Sequence, residues 1–559
     1  MKKFLNNVLL VVVVVIVLYT VLILLPSRHI IIKVPFNNSL FPPEFPSPTF
    51  TWISKDNYKG KWHIQVKAQN GKLRFDTVVD NTMWKPQAQL WNKLKIASEN
   101  KNIKFTLSKD NRLIRKSIIF SFSCDSVGAP ILFRQLPIPF VLAEKQLDSM
   151  NYILVDVGHD GPPHVAMKSF PVCGNCHSFS KNGDLIGLDL DAGLRDKGGY
   201  FIAPITDTII FDNQNYHSWT KIEKRRTFGM FSKISPDGRY IVTTVKDRVI
   251  SKNFPFDMEH MAFSQLFFPV NGKLGVYDRV KNELHELPGA NMDGYVQSNA
   301  IWTPDGKSIV FCRARALPYN YDTLEINITD DVLMDEFAER KRTLKFDIFI
   351  IPFNNGKGGI AKPINGASQN GMSNYFPAIS PDGKWLVFCK ANSFMLLQPD
   401  SRLYIVPLEG GTPKKLECNL ELMNSWHSWS PNGKWIAFSS KGLSIFTDLF
   451  ITHIDEKGNA SPPVLIDRAR KFRRVVNYPE FVNIPESKKF DMFYDFVEIV
   501  HIKDAISNNQ TDIAKELYMQ WKQQDHSFIL DEDIDQLEKL LVLMKMPEEI
   551  TWLESLKKR

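Results

Sequence analysis

A turn string recurs through the middle of this 559-residue chain and limits its fold more than any other feature. Complete copies are Ser235-Pro236-Asp237-Gly238-Arg239, Thr303-Pro304-Asp305-Gly306-Lys307, Ser380-Pro381-Asp382-Gly383-Lys384 and Ser430-Pro431-Asn432-Gly433-Lys434, and Ser180-Lys181-Asn182-Gly183 is a degenerate first copy. Pro presets φ for a turn, Asp or Asn bonds its own backbone, and Gly supplies φ above zero before the next strand. An apolar strand follows each time, as in Trp385 to Phe388 and Trp435 to Phe438, and then a second strand and hairpin, as in Leu403 to Pro407 before Gly410-Gly411. The repeating unit is therefore a blade of about four antiparallel strands. The turn glycines 183, 238, 306, 383 and 433 are 55, 68, 77 and 50 residues apart. Blades usually take ~40 to 50 residues, so insertions are expected, at Phe254 to Pro269 and Pro318 to Arg342.

These repeats resemble the TolB-like, WD-repeat-like β-propeller family over roughly residues 165 to 490, within a propeller region of 150–490. The resemblance implies a ring of six blades, whereas five turns are visible. A sixth blade could use Asn477-Tyr478-Pro479-Glu480-Phe481, which echoes Asn374-Tyr375-Phe376-Pro377, closed by a strand near Tyr152 to Val157; five blades is the alternative. It also implies a binding scaffold whose partner is an envelope protein, peptidoglycan or another glycan.

Inside the first repeat lies Cys173-Gly174-Asn175-Cys176-His177, the C-x-x-C-H haem-attachment motif. Six Cys and 12 His would place such a string by chance in roughly one chain in a thousand. The expected cofactor is a c-type haem bonded to Cys173 and Cys176, with His177 as proximal ligand. A redox or haem-sensing protein is then the alternative to the scaffold. A disulfide or free thiols at Cys173 and Cys176, or a metal such as zinc held with His177, stay open. No helical cytochrome domain surrounds the motif, so only the attachment chemistry carries over. His427 stands six residues before Gly433, as His177 does before Gly183, so both imidazoles are expected at the channel mouth. His427 is the first candidate distal ligand and Met230 the second, against a plain loop role for His427. Asp189 and Asp191 alternate on one strand and read as a solvent-facing pair rather than a calcium or acid–base site.

The flanks read differently. Residues 1–28 hold an uninterrupted apolar run from Val8 to Leu25, 18 residues, without a small-x-small cleavage site, and read as an uncleaved transmembrane anchor with the body exported to the periplasm. A cleaved signal peptide is the alternative. Residues 35–145 show period-two alternation at Trp62, Ile64 and Val66, at Ile103, Phe105 and Leu107, and at Ile118, Phe120 and Phe122, with one helical interval from Trp84 to Ile96. They resemble an immunoglobulin or fibronectin type III β-sandwich, its tryptophans at 52, 62, 84 and 91 serving the core. Residues 491–559 carry the helical stripes Ile513, Leu517, Trp521 and Ile534, Leu537, Leu541, Met544, with Thr511 as a cap, and resemble a helical hairpin. The fold class is mainly β, with a short α-helical end.

The net charge of +8 is spread along the chain, and clusters such as Lys224-Arg225-Arg226 and Arg470-Lys471 lack any recognition motif, which argues against nucleic acid. Cys124, Cys312, Cys389 and Cys418 have no disulfide or zinc spacing, and Cys312 and Cys389 recur at one strand position, as buried thiols would. No Gly-x-Ser-x-Gly elbow occurs, and the roughly 70 residues after the ring are too few for a hydrolase domain. No catalytic residue is expected.

Overall fold

The computed structural model describes residues 30–557, except 99–100, 111–113, 139–148, 169–172, 193–195, 254–264, 322–324, 525, 527–528, 530 and the side chains of 173–175. The apolar run from Val8 to Leu25 lies outside the described residues, and among those described no helix is long and apolar enough to cross a membrane.

Each turn of the repeat is built by its own side chains. In one copy Ser235 Oγ donates to Asp237 and accepts from the Tyr240 amide at 2.8 Å, while the Arg239 amide donates to Asp237 at 3.1 Å. The same pattern recurs at Thr303, Ser380 and Ser430. The five turn glycines have φ between +68° and +76°, which side-chain-bearing residues adopt at a cost.

Six antiparallel blades result. Blade 2 runs outward through Cys173–Phe179, Leu185–Ala192, Asp196–Pro204 and Tyr216–Ser218. Blade 3 comprises Lys233–Ile234, Tyr240–Asn253, Gln265–Asp278 and Glu283–Glu286, and blade 4 Tyr295–Trp302, Ser308–Arg315, Asp347–Pro352 and Lys362–Pro363. Blade 5 comprises Ser373–Ile379, Trp385–Ala391, Arg402–Pro407 and Lys414–Lys415, and blade 6 Asn424–Trp429, Trp435–Ser440, Asp448–His453 and Val464–Leu465.

Blade 1 joins the two ends of the ring. Its innermost strand, Arg474–Phe481, pairs with Ile131–Pro137, which pairs with Asn151–Val155 and then His164–Met167. Every first strand touches the first strand of the next blade, and Asn424–Trp429 touches Arg474–Phe481, so the circle is complete. Six blades therefore show only five turn strings for a topological reason. In blade 1 the first and second strands come from opposite ends of the ring, so no covalent turn joins them. The ring begins at Ile131, inside the region the sequence assigns to the sandwich, because Ile131–Pro137 bonds the C-terminal strand rather than the N-terminal sheets.

The N-terminal unit has two sheets, Ile30–Val34 with Phe50–Ser54 and Met83–Trp84, and Ser39–Phe41, Arg115–Phe122, Ile103–Lys109, Trp62–Ala68 and Arg74–Val79 in that order. Trp52, Trp62, Phe105, Phe120 and Trp91 of helix Ala88–Ser98 fill the space between them, so these tryptophans serve the core. That core is continuous with the outer face of blade 6, where Trp435 Nε1 donates to the Asp125 carbonyl at 3.1 Å.

After the ring, Asp491–Tyr494 pairs in parallel with Thr208–Phe211. Helices Ile499–Ser507, Thr511–Lys522, Asp531–Leu543 and Ile550–Lys557 then form a separate small core around Tyr518, Trp521, Leu537 and Leu553. Two expectations shift here: Thr511 is the first helical residue rather than the cap, and the buried stripe is Ala514, Tyr518 and Trp521 while Ile513 is exposed.

Candidate functional site

All six first strands converge on one depression of about 320 Å³ at the channel mouth. Its rim is the row of turn prolines, Pro236, Pro304, Pro381 and Pro431, and its wall includes Trp302, Phe376, Trp426, Trp429, Tyr478 and Phe481. Two tryptophans act as staples between blades. Trp302 Nε1 donates to the Lys233 carbonyl at 3.0 Å and Trp429 Nε1 to the Ala378 carbonyl at 3.2 Å.

A backbone device shapes the mouth. Blades 1, 4, 5 and 6 carry a one-residue bulge in the first strand. At that bulge Tyr478, Asn299, Phe376 and Trp426 have φ of +55°, +54°, +51° and +45°, and all four line the depression; in blade 3 Phe231 occupies the same place with φ +60°. A bulge with one left-handed residue re-aims a side chain. In blade 2 the bulge falls one position further from the turn, between Gly174 and His177, and Cys176 there is not left-handed.

The charged feature of the mouth is Lys233. Its Nζ lies 2.9 Å from Glu480 Oε2, donates to the His177 carbonyl at 3.2 Å and sits 5.1 Å from the Tyr478 ring centroid. Both side chains are mostly buried, 15% and 20% exposed. Burial pushes the Glu480 carboxyl upward while Lys233 opposes the shift.

His177 does not face the mouth. It is fully buried between blades 1 and 2, with the rings of Tyr478, Phe179 and Tyr152 at centroid distances of 5.4, 5.6 and 6.0 Å. Burial holds its pKa well below the ordinary value, helped by Lys233 and Arg134. Neither ring nitrogen has a hydrogen-bond partner of good geometry among the described residues, although the ring lies near the Leu132 backbone. Beside it the Cys176 thiol is free and pushed up to about 12, chiefly by burial and then by Asp189. The Cys173 side chain lies outside the described residues.

His427 has a different environment. It borders the mouth, but its Nε2–H donates to the Val387 carbonyl at 3.2 Å and its Nδ1 faces Cys389 Sγ at 3.9 Å. Burial lowers its pKa to about 4. The expected meeting of His177 and His427 therefore does not occur, because each imidazole turns into the seam with the preceding blade. Met230 is buried in the main core. Cys312 and Cys389 are fully buried strand thiols.

Asp189 and Asp191 correct another expectation. They are 3% and 5% exposed, since the strand that carries them is covered by blades on both faces. Burial raises Asp189 to about 7 although Ser232 N donates to it at 3.1 Å, and Asp191 pairs with Lys197. Among the described residues no group of three or more His, Cys, Asp or Glu is arranged to hold a metal ion.

The donor chemistry of His177 suits a metal or haem iron, because a neutral imidazole with free nitrogens is the ligating form. Space is the obstacle. Three aromatic rings close over it, and a ligand as large as a porphyrin requires that enclosure to open.

No protein-family model matches the sequence, and no curated protein does. Solved structures with a similar course of chain include TolB from Acinetobacter baumannii, at 13% identity and TM-score 0.39, covering 68% of this chain and 79% of that one. The periplasmic gluconolactonase PpgL of Pseudomonas aeruginosa is similar at 11% identity and TM-score 0.32, covering 60% and 82%. The hydrazine synthase of Kuenenia stuttgartiensis is similar at 12% identity and TM-score 0.33, covering 70% and 95%. The strand pairing itself defines this chain as a six-bladed β-propeller protein.

Proposed function

We propose that the chain is an envelope-exported binding scaffold, tethered through its N-terminal apolar segment, whose mouth receives a protein, peptidoglycan or other glycan partner. The observation that carries this reading is the mouth itself: one depression to which all six blades contribute, with aromatic walls and an ion pair. Concave sites with apolar walls and a few placed polar groups are where ligands bind. The N-terminal unit, read as an immunoglobulin-like module, and the helical end then act as spacers or docking elements around the ring.

The test is a titration followed by tryptophan fluorescence, since Trp302, Trp426 and Trp429 border the mouth. Soluble peptidoglycan fragments, oligosaccharides and peptides are added to the full chain and to its Phe376→Ala variant. Saturable quenching that weakens in the variant supports the site. Equal titrations in both chains would place binding elsewhere.

A second reading, a c-type haem on Cys173 and Cys176 with His177 ligating, is favoured by the buried imidazole without a well-placed partner. Haem would supply redox or gas-binding chemistry, and this chain's part would be to hold a neutral imidazole in a dry seam. A haem stain on a denaturing gel decides it, using protein exported in a host competent for cytochrome c maturation, beside Cys176→Ala. Colour that survives denaturation and vanishes in the variant supports attachment; a colourless exported chain ends the reading.

A further inference from the structure

Phe472 is 84% exposed, more than any other large apolar side chain described, and a single exposed ring would ordinarily need no explanation. Its setting is what requires one. It lies in Arg468-Ala469-Arg470-Lys471-Phe472-Arg473-Arg474, five cations and no acid in seven residues. Three of the cations are used to fix the base of the loop. Arg468 donates to the carbonyls of Asp156 and Val157 at 2.6 and 2.7 Å, Arg470 to Asp448 at 2.8 Å, and Arg474 to the Ser149 carbonyl. The remaining two, Lys471 and Arg473, flank Phe472 at the tip, are exposed, and have no ion pair among the described residues. The Arg473 guanidinium lies 5.1 Å from the Phe472 centroid.

We propose that the loop 470–473 docks onto an anionic lipid surface, with Phe472 entering the headgroup layer between Lys471 and Arg473. Phe side chains of interfacial segments enter the boundary of headgroups and acyl chains, and cations beside them are attracted to acidic lipids. Placement agrees. The strand Arg474–Phe481 runs from this loop into the wall of the mouth, so the loop is on the opposite face, about 13 Å along the strand from the first wall residue, Tyr478, and about 23 Å from the far end at Phe481. The N-terminal unit sits at the same corner, where the Thr49 amide donates to Asp467 Oδ2 at 3.1 Å and Arg468 lies over Phe45.

The proposal rests on the tethering reading. The apolar run ends at Leu25, and the five steps to Ile30 can span at most ~17 Å, so a membrane-spanning run holds the N-terminal unit close to the headgroups. With the loop on the bilayer, the mouth points away from it, toward whatever partner it receives.

The experiment uses the full chain in lipid nanodiscs, labelled with an environment-sensitive fluorophore at Phe472→Cys in a Cys124→Ser background, with the labelled site mapped by mass spectrometry. The proposal expects a blue shift and reduced iodide quenching in discs containing phosphatidylglycerol. It expects neither in pure phosphatidylcholine discs, and loss of both in Lys471→Glu/Arg473→Glu, whose exposed positions should leave the thermal midpoint unchanged. A probe that is equally solvent-exposed in both discs overturns it, and so does a shift only when another protein is added, which would make the loop a protein contact. A chain that fails to enter discs refutes the tether instead. The loop is then tested by flotation of the same chain on phosphatidylglycerol vesicles, where binding abolished by the charge reversal supports docking and no binding overturns it.

Discussion

Alanine at Gly183 and at Gly383 should give different costs, although both glycines occupy the same place in the repeat with φ of +71° and +76°. Forcing a residue with a Cβ into that region costs about 1 kcal/mol at each site. At Gly383 nothing else follows, since a Cβ there meets no atom within 4 Å. At Gly183 the new Cβ would stand 2.3 Å from the Asn483 carbonyl oxygen and 2.8 Å from its carbon. The backbone of 482–484 must then retreat. It is held by Asn483 Nδ2 donating to the Lys181 carbonyl at 2.8 Å and the Val482 amide donating to the Pro130 carbonyl at 3.0 Å, each worth about 1 kcal/mol. Gly183→Ala should therefore cost about 3 kcal/mol and Gly383→Ala about 1 kcal/mol. For a ring of this size, drops in Tm of roughly 4 °C and 1.5 °C follow. Thermal unfolding followed by tryptophan fluorescence measures both. Equal drops would refute the reasoning, because they would mean that the C-terminal segment does not close the ring against the first turn.

Three further outcomes are expected. Lys233→Met strands the Glu480 carboxylate and should cost about 2–3 kcal/mol, less than a fully buried pair because both partners keep some exposure, while Lys233→Met/Glu480→Gln recovers most of it. The folded state already holds the Glu480 proton more tightly than the unfolded chain, so the single variant's deficit should grow from pH 5 to pH 8; a pH-independent deficit measured by thermal melts would contradict the pairing. His427, lowered to about 4 from an unfolded value near 6.5, contributes stability that is present above pH 6.5 and lost as pH falls toward 4. His427→Gln should flatten that part of the acid limb of Tm against pH, and an unchanged slope would show that the imidazole titrates normally. Trp302→Phe removes the donor to the Lys233 carbonyl and should cost about 1 kcal/mol, seen as faster hydrogen exchange at the seam of blades 3 and 4.

The blades were legible in the sequence because their turn is written in side chains that bond one another within five residues, as Ser235, Asp237 and Tyr240 do. The closing strand was half legible. Asn477-Tyr478-Pro479 echoes Asn374-Tyr375-Phe376-Pro377, yet its partner Ile131–Pro137 lies more than 330 residues away in the chain and carries no local mark of that pairing. The burial of Asp189 and Asp191 was hidden for a related reason. Alternation along a strand says which residues share a face, but not that blades on both sides cover it. The orientation of His177 and His427 was not legible either, since a one-residue bulge decides where each ring turns and leaves no signature in spacing.

That bulge also orders the relation between mouth and motif. Five blades accept a left-handed residue at this point, each at a cost of about 1 kcal/mol, and four of those residues line the mouth. In the blade with the C-x-x-C-H string the bulge falls one position further from the turn, between Gly174 and His177. Cys176 and His177 lie behind the wall of the mouth rather than in it, and Tyr478 and Phe179 belong both to that wall and to the surroundings of His177. The Tyr478 ring lies 5.4 Å from His177 and 5.1 Å from Lys233 Nζ, and the Phe179 ring lies 5.6 Å from His177. Whatever occupies the mouth presses on side chains that enclose the imidazole, and a group that binds the imidazole must displace part of the same enclosure. The scaffold and cofactor readings are thus coupled through this shared wall, and occupancy of one site changes the space available at the other.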